Sequence, residues 1–304
     1  FRWLLPALTE LDVQCAAGDS AFRIPQIVAP RLQRLSWPEL SEHSFEDLFT
    51  LLAGVEDNQL RLLELIPHEI DGLGWNTRPL SELLEALSRQ RASLAKIDFG
   101  EYYYCIESAD IGPLSQFRAL EEITAHNVRP SFYIADLIAH LFAALSRLRR
   151  AELNIGFSED DENSDLLDEK DVILLESMPA LASHTSLQSL RVCTYLINQE
   201  LFQPQALPSL TELELRSFSY FLDVPAATAL VAASPALRSL SLHQPDHADR
   251  LTTANLAMTA PRSSAHFASA AGKSLTNIDI GWRQDVPQIL RSLAELALPH
   301  LEQL

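Results

Sequence analysis

The sequence predicts an α/β solenoid, with parallel strands on a concave face and helices on a convex face, built by stacking one repeated unit. Three observations carry that prediction. The phrase L-x-x-L-x-L returns through the chain, its first leucines 23 to 39 residues apart. The second half of each phrase alternates apolar and polar residues, which is strand periodicity. Stretches between phrases carry apolar residues at helical spacing. A phrase that returns at such a period implies stacked units, none of which buries its apolar face alone.

The complete phrases are Leu8-Leu11-Val13, Leu32-Leu35-Trp37, Leu60-Leu63-Leu65, Leu94-Ile97-Phe99, Leu120-Ile123-Ala125, Leu148-Ala151-Leu153, Leu187-Leu190-Val192, Leu210-Leu213-Leu215, Leu237-Leu240-Leu242 and Leu275-Ile278-Ile280. In the first, Leu11 and Val13 face the core and Asp12 faces out. Residues 44–55 then read as a helix capped by Ser44, with Phe45, Leu48, Phe49 and Leu52 on one face. Residues 79–89 repeat the design with Leu80, Leu83, Leu84 and Leu87, and residues 132–148 with Ile134, Leu137, Ile138, Leu141, Phe142 and Leu145. Residues 225–233 and 286–296 are the last two helical stretches. Spacings of 34, 39 and 38 mark loop insertions. Pro6, Pro30, Pro208, Pro235 and Pro299 stand just before phrases, where proline is expected to end the preceding segment and hold the chain extended. Strands stack about 4.8 Å apart, closer than helices, so the stack is expected to curve.

Composition is ordinary for a globular chain: 304 residues, 47% hydrophobic and 21% charged. The repeat implies one domain over residues 1–304, of ten to eleven irregular repeats. It is expected to be a fragment of a longer protein, because repeats run into both ends and neither carries a polar cap. No apolar run approaches the roughly 18 residues of a membrane span; the longest, 133–148, is interrupted by Asp136, His140, Ser146 and Arg147. Three scattered cysteines, Cys15, Cys105 and Cys193, suit a reducing compartment, so a cytoplasmic or nuclear location is expected. A net charge of −18 disfavours nucleic acid as a partner of the whole chain. The same charge either steers a basic partner or keeps an apolar protein soluble.

The P-x-L-x-x-L-x-L entry and the irregular spacing resemble the leucine-rich repeat superfamily, in its irregular, ribonuclease-inhibitor-like subclass as in fungal F-box proteins. The resemblance covers essentially the whole chain. It departs in one respect: the Asn or Cys that usually follows the phrase is replaced, for example by Ala16, Leu40 and His68, which implies irregular loops. The resemblance implies a protein-interaction module, the substrate-recognition part of a ubiquitin-ligase adaptor, or else a sensor or inhibitor arm of a larger receptor. Contact with a ligase scaffold is expected only through a segment outside this chain. Ile66-Pro67-His68-Glu69-Ile70 looks like the start of an F-box, but it directly follows a repeat strand and reads as a loop.

Motifs for chemistry are few. No nucleophile elbow, zinc-protease or phosphate-loop motif occurs, so neither catalysis nor a cofactor is expected. His243 and His247 are separated by Pro245 and read as a solvated loop. Residues 158–171 (SEDDENSDLLDEKD) form an acidic loop insertion, either solvated or a docking segment; they lack the Gly and final Glu of a calcium loop. The outward column of the strands is the main candidate site: Asp12, Ser36, Glu64, Asp98, Thr124, Glu152, Arg191, Glu214, Ser241 and Asp279. Two residues earlier stand Glu10, Glu122 and Glu212, countered by Arg34, Lys96 and Arg150. The column is either a groove for a basic protein or peptide or a merely solvated sheet face. Trp37, Tyr102 and Tyr103 are candidate loop anchors, or else buried stand-ins for the missing Asn.

Overall fold

In the computed structural model of the chain, the described residues are 2–13, 26–38, 42–66, 78–100, 104–105, 111–125, 142–155, 184–194, 207–217, 234–243 and 276–281. They fall into two compact units, Phe1–Ser131 with Ala144–Asn154 and Phe132–Ala143 with Ile155–Leu304. The sequence reading expects one domain. Repeats contact only their neighbours, so a repeat chain divides between repeats without cutting a common core.

In the first unit, six leucine phrases supply six strands: β2 (Glu10–Asp12), β4 (Arg34–Pro38), β5 (Leu62–Ile66), β7 (Lys96–Asp98), β9 (Glu122–Ala125) and β10 (Arg150–Ile155). They pair in that order, all parallel. The register aligns the middle apolar residue of every phrase: Leu11, Leu35, Leu63, Ile97, Ile123 and Ala151. Two short parallel pairs accompany this sheet, β1 (Arg2–Leu4) with β3 (Gln26–Val28) and β6 (Arg78–Pro79) with β8 (Tyr104–Cys105). In the second unit, β11 (Ser189–Thr194), β12 (Glu212–Ser217), β13 (Ser239–His243) and β14 (Asn277–Gly281) repeat the scheme, aligning Leu190, Leu213, Leu240 and Ile278. Period-2 side chains explain the alignment: a one-residue slip would turn each leucine set out of the core.

Among the described residues the helices depart from the expected bounds. Helix α1 runs Glu42–Ala53, so Ser44 lies inside it and is not its N-cap. Helix α2 spans Leu80–Ala86, buries Leu80, Leu83 and Leu84, and tightens into a 3₁₀ turn at Ser88–Gln90. A one-turn helix α3, Ile111–Leu114, was not expected from the sequence. Residues 142–144 are helical, and the chain then turns, leaving Leu145 and Leu148 past the helix end. The stretches 225–233 and 286–296 lie outside the described residues.

Four of the five prolines do not hold an extended lead-in, and Pro299 lies outside the described residues. Pro6, Pro30, Pro208 and Pro235 stand at the second position of a turn that delivers the first leucine of the phrase. The amide of that leucine bonds the carbonyl three residues back: Leu8 to Leu5, Leu32 to Ala29, Leu210 to Leu207 and Leu237 to Ser234. Proline's fixed φ fits this position, and its missing N–H is not needed there. Leu120 and Leu148 make the same bond to Phe117 and Leu145 without proline. The residue at the head of the turn is buried in five of these six turns, where Ala29, Phe117, Leu145, Leu207 and Ser234 are at most 1% exposed, while Leu5 at the first is exposed.

Beyond the turn, one carbonyl per repeat accepts two consecutive amides from the next repeat. Thr9 takes those of Gln33 and Arg34, Gln33 those of Arg61 and Leu62, Arg61 those of Ala95 and Lys96. Ala95 and Glu121 continue the ladder in the first unit, Gln188, Thr211 and Arg238 in the second. This ladder fixes the edge of the sheet where the strands begin. Between Ile27 and Leu153 the phrase leucines and their apolar equivalents are all buried. Leu8, Leu11 and Val13 are only partly buried, because β2 has a neighbouring strand on one side only among the described residues.

Candidate functional site

The strand register sets the outward side chains in columns, with neighbours about 4.8 Å apart. In the first unit one column runs Asp12, Ser36, Glu64, Asp98, Thr124 and Glu152, and the column before it Glu10, Arg34, Leu62, Lys96, Glu122 and Arg150. In the second unit Arg191, Glu214, Ser241 and Asp279 align, as do Ser189, Glu212, Ser239 and Asn277. The sequence candidates on the strands are therefore brought together within each unit.

Acids on this face are largely offset by bases on the neighbouring strand. Arg34 lies 3.9 Å from Glu10 and Arg150 4.0 Å from Glu122, each directly across the ladder. Lys96 reaches diagonally to Glu64, which also accepts a bond of 3.4 Å from the Ser36 hydroxyl. Arg191 Nε donates to Glu214 at 2.6 Å. Glu121, at the strand start, holds both Arg147 at 3.4 Å and Arg149 at 3.7 Å. Repulsion within an acidic column is thus answered by the protein's own bases, and no ligand is required to hold the face together. The exposed pairs each contribute about 0.2–1 kcal/mol.

Asp98 has a second duty. Its Oδ1 accepts the Gly100 amide at 3.0 Å, where Gly100 takes φ 71° and carries the chain out of β7. Glycine adopts that conformation without strain. The carboxylate therefore shapes the loop as well as charging the face.

His243 ends β13 and is not in a loop. Its Nε2 lies 2.7 Å from the Ser241 hydroxyl and 3.5 Å from Asp279. A hydrolytic relay needs the hydroxyl and the carboxylate on opposite ring nitrogens. Here both approach the same one, so the trio is not arranged to activate the serine. His247 lies outside the described residues. No group of three or more His, Cys, Asp or Glu side chains suited to a metal ion occurs among the described residues. No helix among them is long and apolar enough to cross a membrane.

Trp37 is 1% exposed and sits in the core on β4, where the last apolar residue of its phrase belongs. It is not a surface anchor. Tyr102, Tyr103 and the acidic segment 158–171 lie outside the described residues, as do residues 67–70. Ile66, the last residue of β5, is 37% exposed.

Sequence reasoning missed Gln90. This side chain is 1% exposed. Its Oε1 accepts the Gln59 amide at 2.9 Å and the Leu60 amide at 3.0 Å, and its Nε2 donates to the Glu56 carbonyl at 3.0 Å. The turn before Leu60 lacks the backbone bond that Leu8, Leu32, Leu120, Leu148, Leu210 and Leu237 make, and a side-chain amide from the next repeat replaces it. His184 acts similarly, its Nδ1 accepting the Leu187 amide at 3.2 Å. The available signal was the polar run Asp57-Asn58-Gln59 before Leu60; Asn58 there takes φ 57°, which asparagine tolerates.

No family model matches the chain, and no curated protein matches it. Among solved structures, the chain is similar to the leucine-rich repeat-containing protein LegL7 from Legionella pneumophila, at 12% identity, covering 98% of this chain and 94% of that one with a TM-score of 0.31. A score that low carries no weight for fold or function, and the fold described above rests on the strand register alone.

Proposed function

We propose that the chain is a non-catalytic protein-interaction module of the irregular leucine-rich-repeat kind, the substrate-recognition part of an F-box-type ubiquitin-ligase adaptor in the cytoplasm or nucleus. On this reading it takes a basic peptide or protein surface on its strand face. The observation that supports it is the in-register outward surface of the first unit, where six acids stand against three bases over the two columns. A net negative charge on a face favours a positively charged partner, chiefly through its association rate.

The test uses a fluorescent deca-lysine peptide and the whole chain. Asp98→Asn with Glu152→Gln removes two charges, and an Asn oxygen still accepts the Gly100 amide, so the loop is kept. Binding should weaken about fivefold and fade as salt shortens the screening length below about 8 Å. Unchanged binding discards the strand face as the site. Coprecipitation of a ubiquitin-ligase scaffold with the intact protein tests the adaptor reading separately; its failure leaves the receptor-arm alternative.

A further inference from the structure

We propose that the edge of the first unit where its strands begin is a second interaction surface, and that it takes an acidic peptide segment of a partner protein. The charge on this unit is divided along the strand direction. Consider in each of the six repeats the turn and the strand start, residues 5–10, 29–34, 57–62, 91–96, 117–122 and 145–150. These windows hold nine Lys and Arg against four Asp and Glu, a net +5. The other described residues of the unit hold three bases against ten acids, a net −7. The corresponding windows of the second unit, 184–189, 207–212 and 234–239, hold one base and one acid. Among the described residues, nine of the fifteen Lys and Arg thus stand on one edge of the first unit.

The ladder makes this edge a continuous, fixed surface. Each window is bonded to the next through the carbonyl that accepts two amides, from Thr9 through Gln33, Arg61 and Ala95 to Glu121. Six repeats at about 4.8 Å give a rim roughly 24 Å long. Some of its bases are already committed to acids, as Arg34 is to Glu10 and Arg149 to Glu121. Arg31, Arg61 and Arg118 are exposed and make no ion pair among the described residues. They stand on the second, third and fifth repeats and point the choice of ligand.

Charge density selects the class of ligand. The rim carries about one net positive charge per 5 Å, close to that of an extended acidic peptide, whose residues rise about 3.3 Å each. Duplex nucleic acid presents one negative charge per roughly 1.7 Å. It is also too broad to touch the rim without bringing its phosphates within a screening length, about 8 Å, of the acidic strand ends. A narrow peptide of some seven residues fits the rim alone.

The experiment measures binding of a fluorescent deca-glutamate peptide to the whole chain and to the triple variant R31Q/R61Q/R118Q. All three side chains are exposed, so the fold is retained, and circular dichroism verifies it. The triple variant should bind about tenfold more weakly, while D98N/E152Q binds the same peptide as well as or better than the parent. Absence of deca-glutamate binding, or binding within twofold for the triple variant, overturns the proposal. So does a single-stranded or duplex DNA of equal charge that binds tighter than the peptide and is lost in the triple variant. The strand-face reading is independent: it concerns deca-lysine and Asp98 with Glu152, and either can fail without the other.

Discussion

Gln90 offers the sharpest check on how this repeat architecture holds itself together. Gln90→Leu keeps the volume and the apolar stem but removes three hydrogen bonds. The Leu60 amide is then buried without an acceptor, which costs about 1–3 kcal/mol. The Gln59 amide and the Glu56 carbonyl are partly buried and recover some bonding from water, so each adds about 0.5 kcal/mol. The expected loss is about 2–4 kcal/mol. Urea unfolding followed by circular dichroism measures it as a lowered midpoint with unchanged slope. Hydrogen exchange at the Leu60 amide should accelerate more than at Leu63, whose strand pairing is untouched. Gln90→Glu keeps the acceptor but loses the donor and buries a charge, so it should not restore stability. A loss under about 0.5 kcal/mol for Gln90→Leu would refute the claim that this amide replaces the missing turn bond.

Other expectations follow from the same packing. Leu63→Ala, at a 0% exposed site with strands on both sides, should cost about 3–5 kcal/mol, and Leu11→Ala on the half-buried edge strand less than half of that, both read by urea unfolding. Equal losses would mean that the edge strand is as well covered as the interior. A double-mutant cycle on Arg191 and Glu214 should return a coupling of about 0.5–1 kcal/mol that shrinks as salt rises. A coupling insensitive to salt would contradict the exposure of that pair.

The amino-acid sequence by itself determined the strands. Leucines at L-x-x-L-x-L positions leave one register in which all of them face inward, so the parallel order and the outward columns follow from local pattern. Trp37 was legible as a phrase residue, and its burial follows; treating it also as a loop anchor ignored that the column position decides its side. The turns were less legible, because Pro30 before Leu32 suits an extended segment and a turn equally, and only the Ala29 carbonyl bonded to Leu32 distinguishes them. Helix ends and the short pairs β1–β3 and β6–β8 were not readable, since their stability comes from neighbours rather than propensity. The tertiary structure alone decided which charges meet. Arg34 and Glu10 are 24 residues apart in sequence, Lys96 and Glu64 32; the stacking of repeats of unequal length brings them together, and no spacing rule in one dimension encodes that.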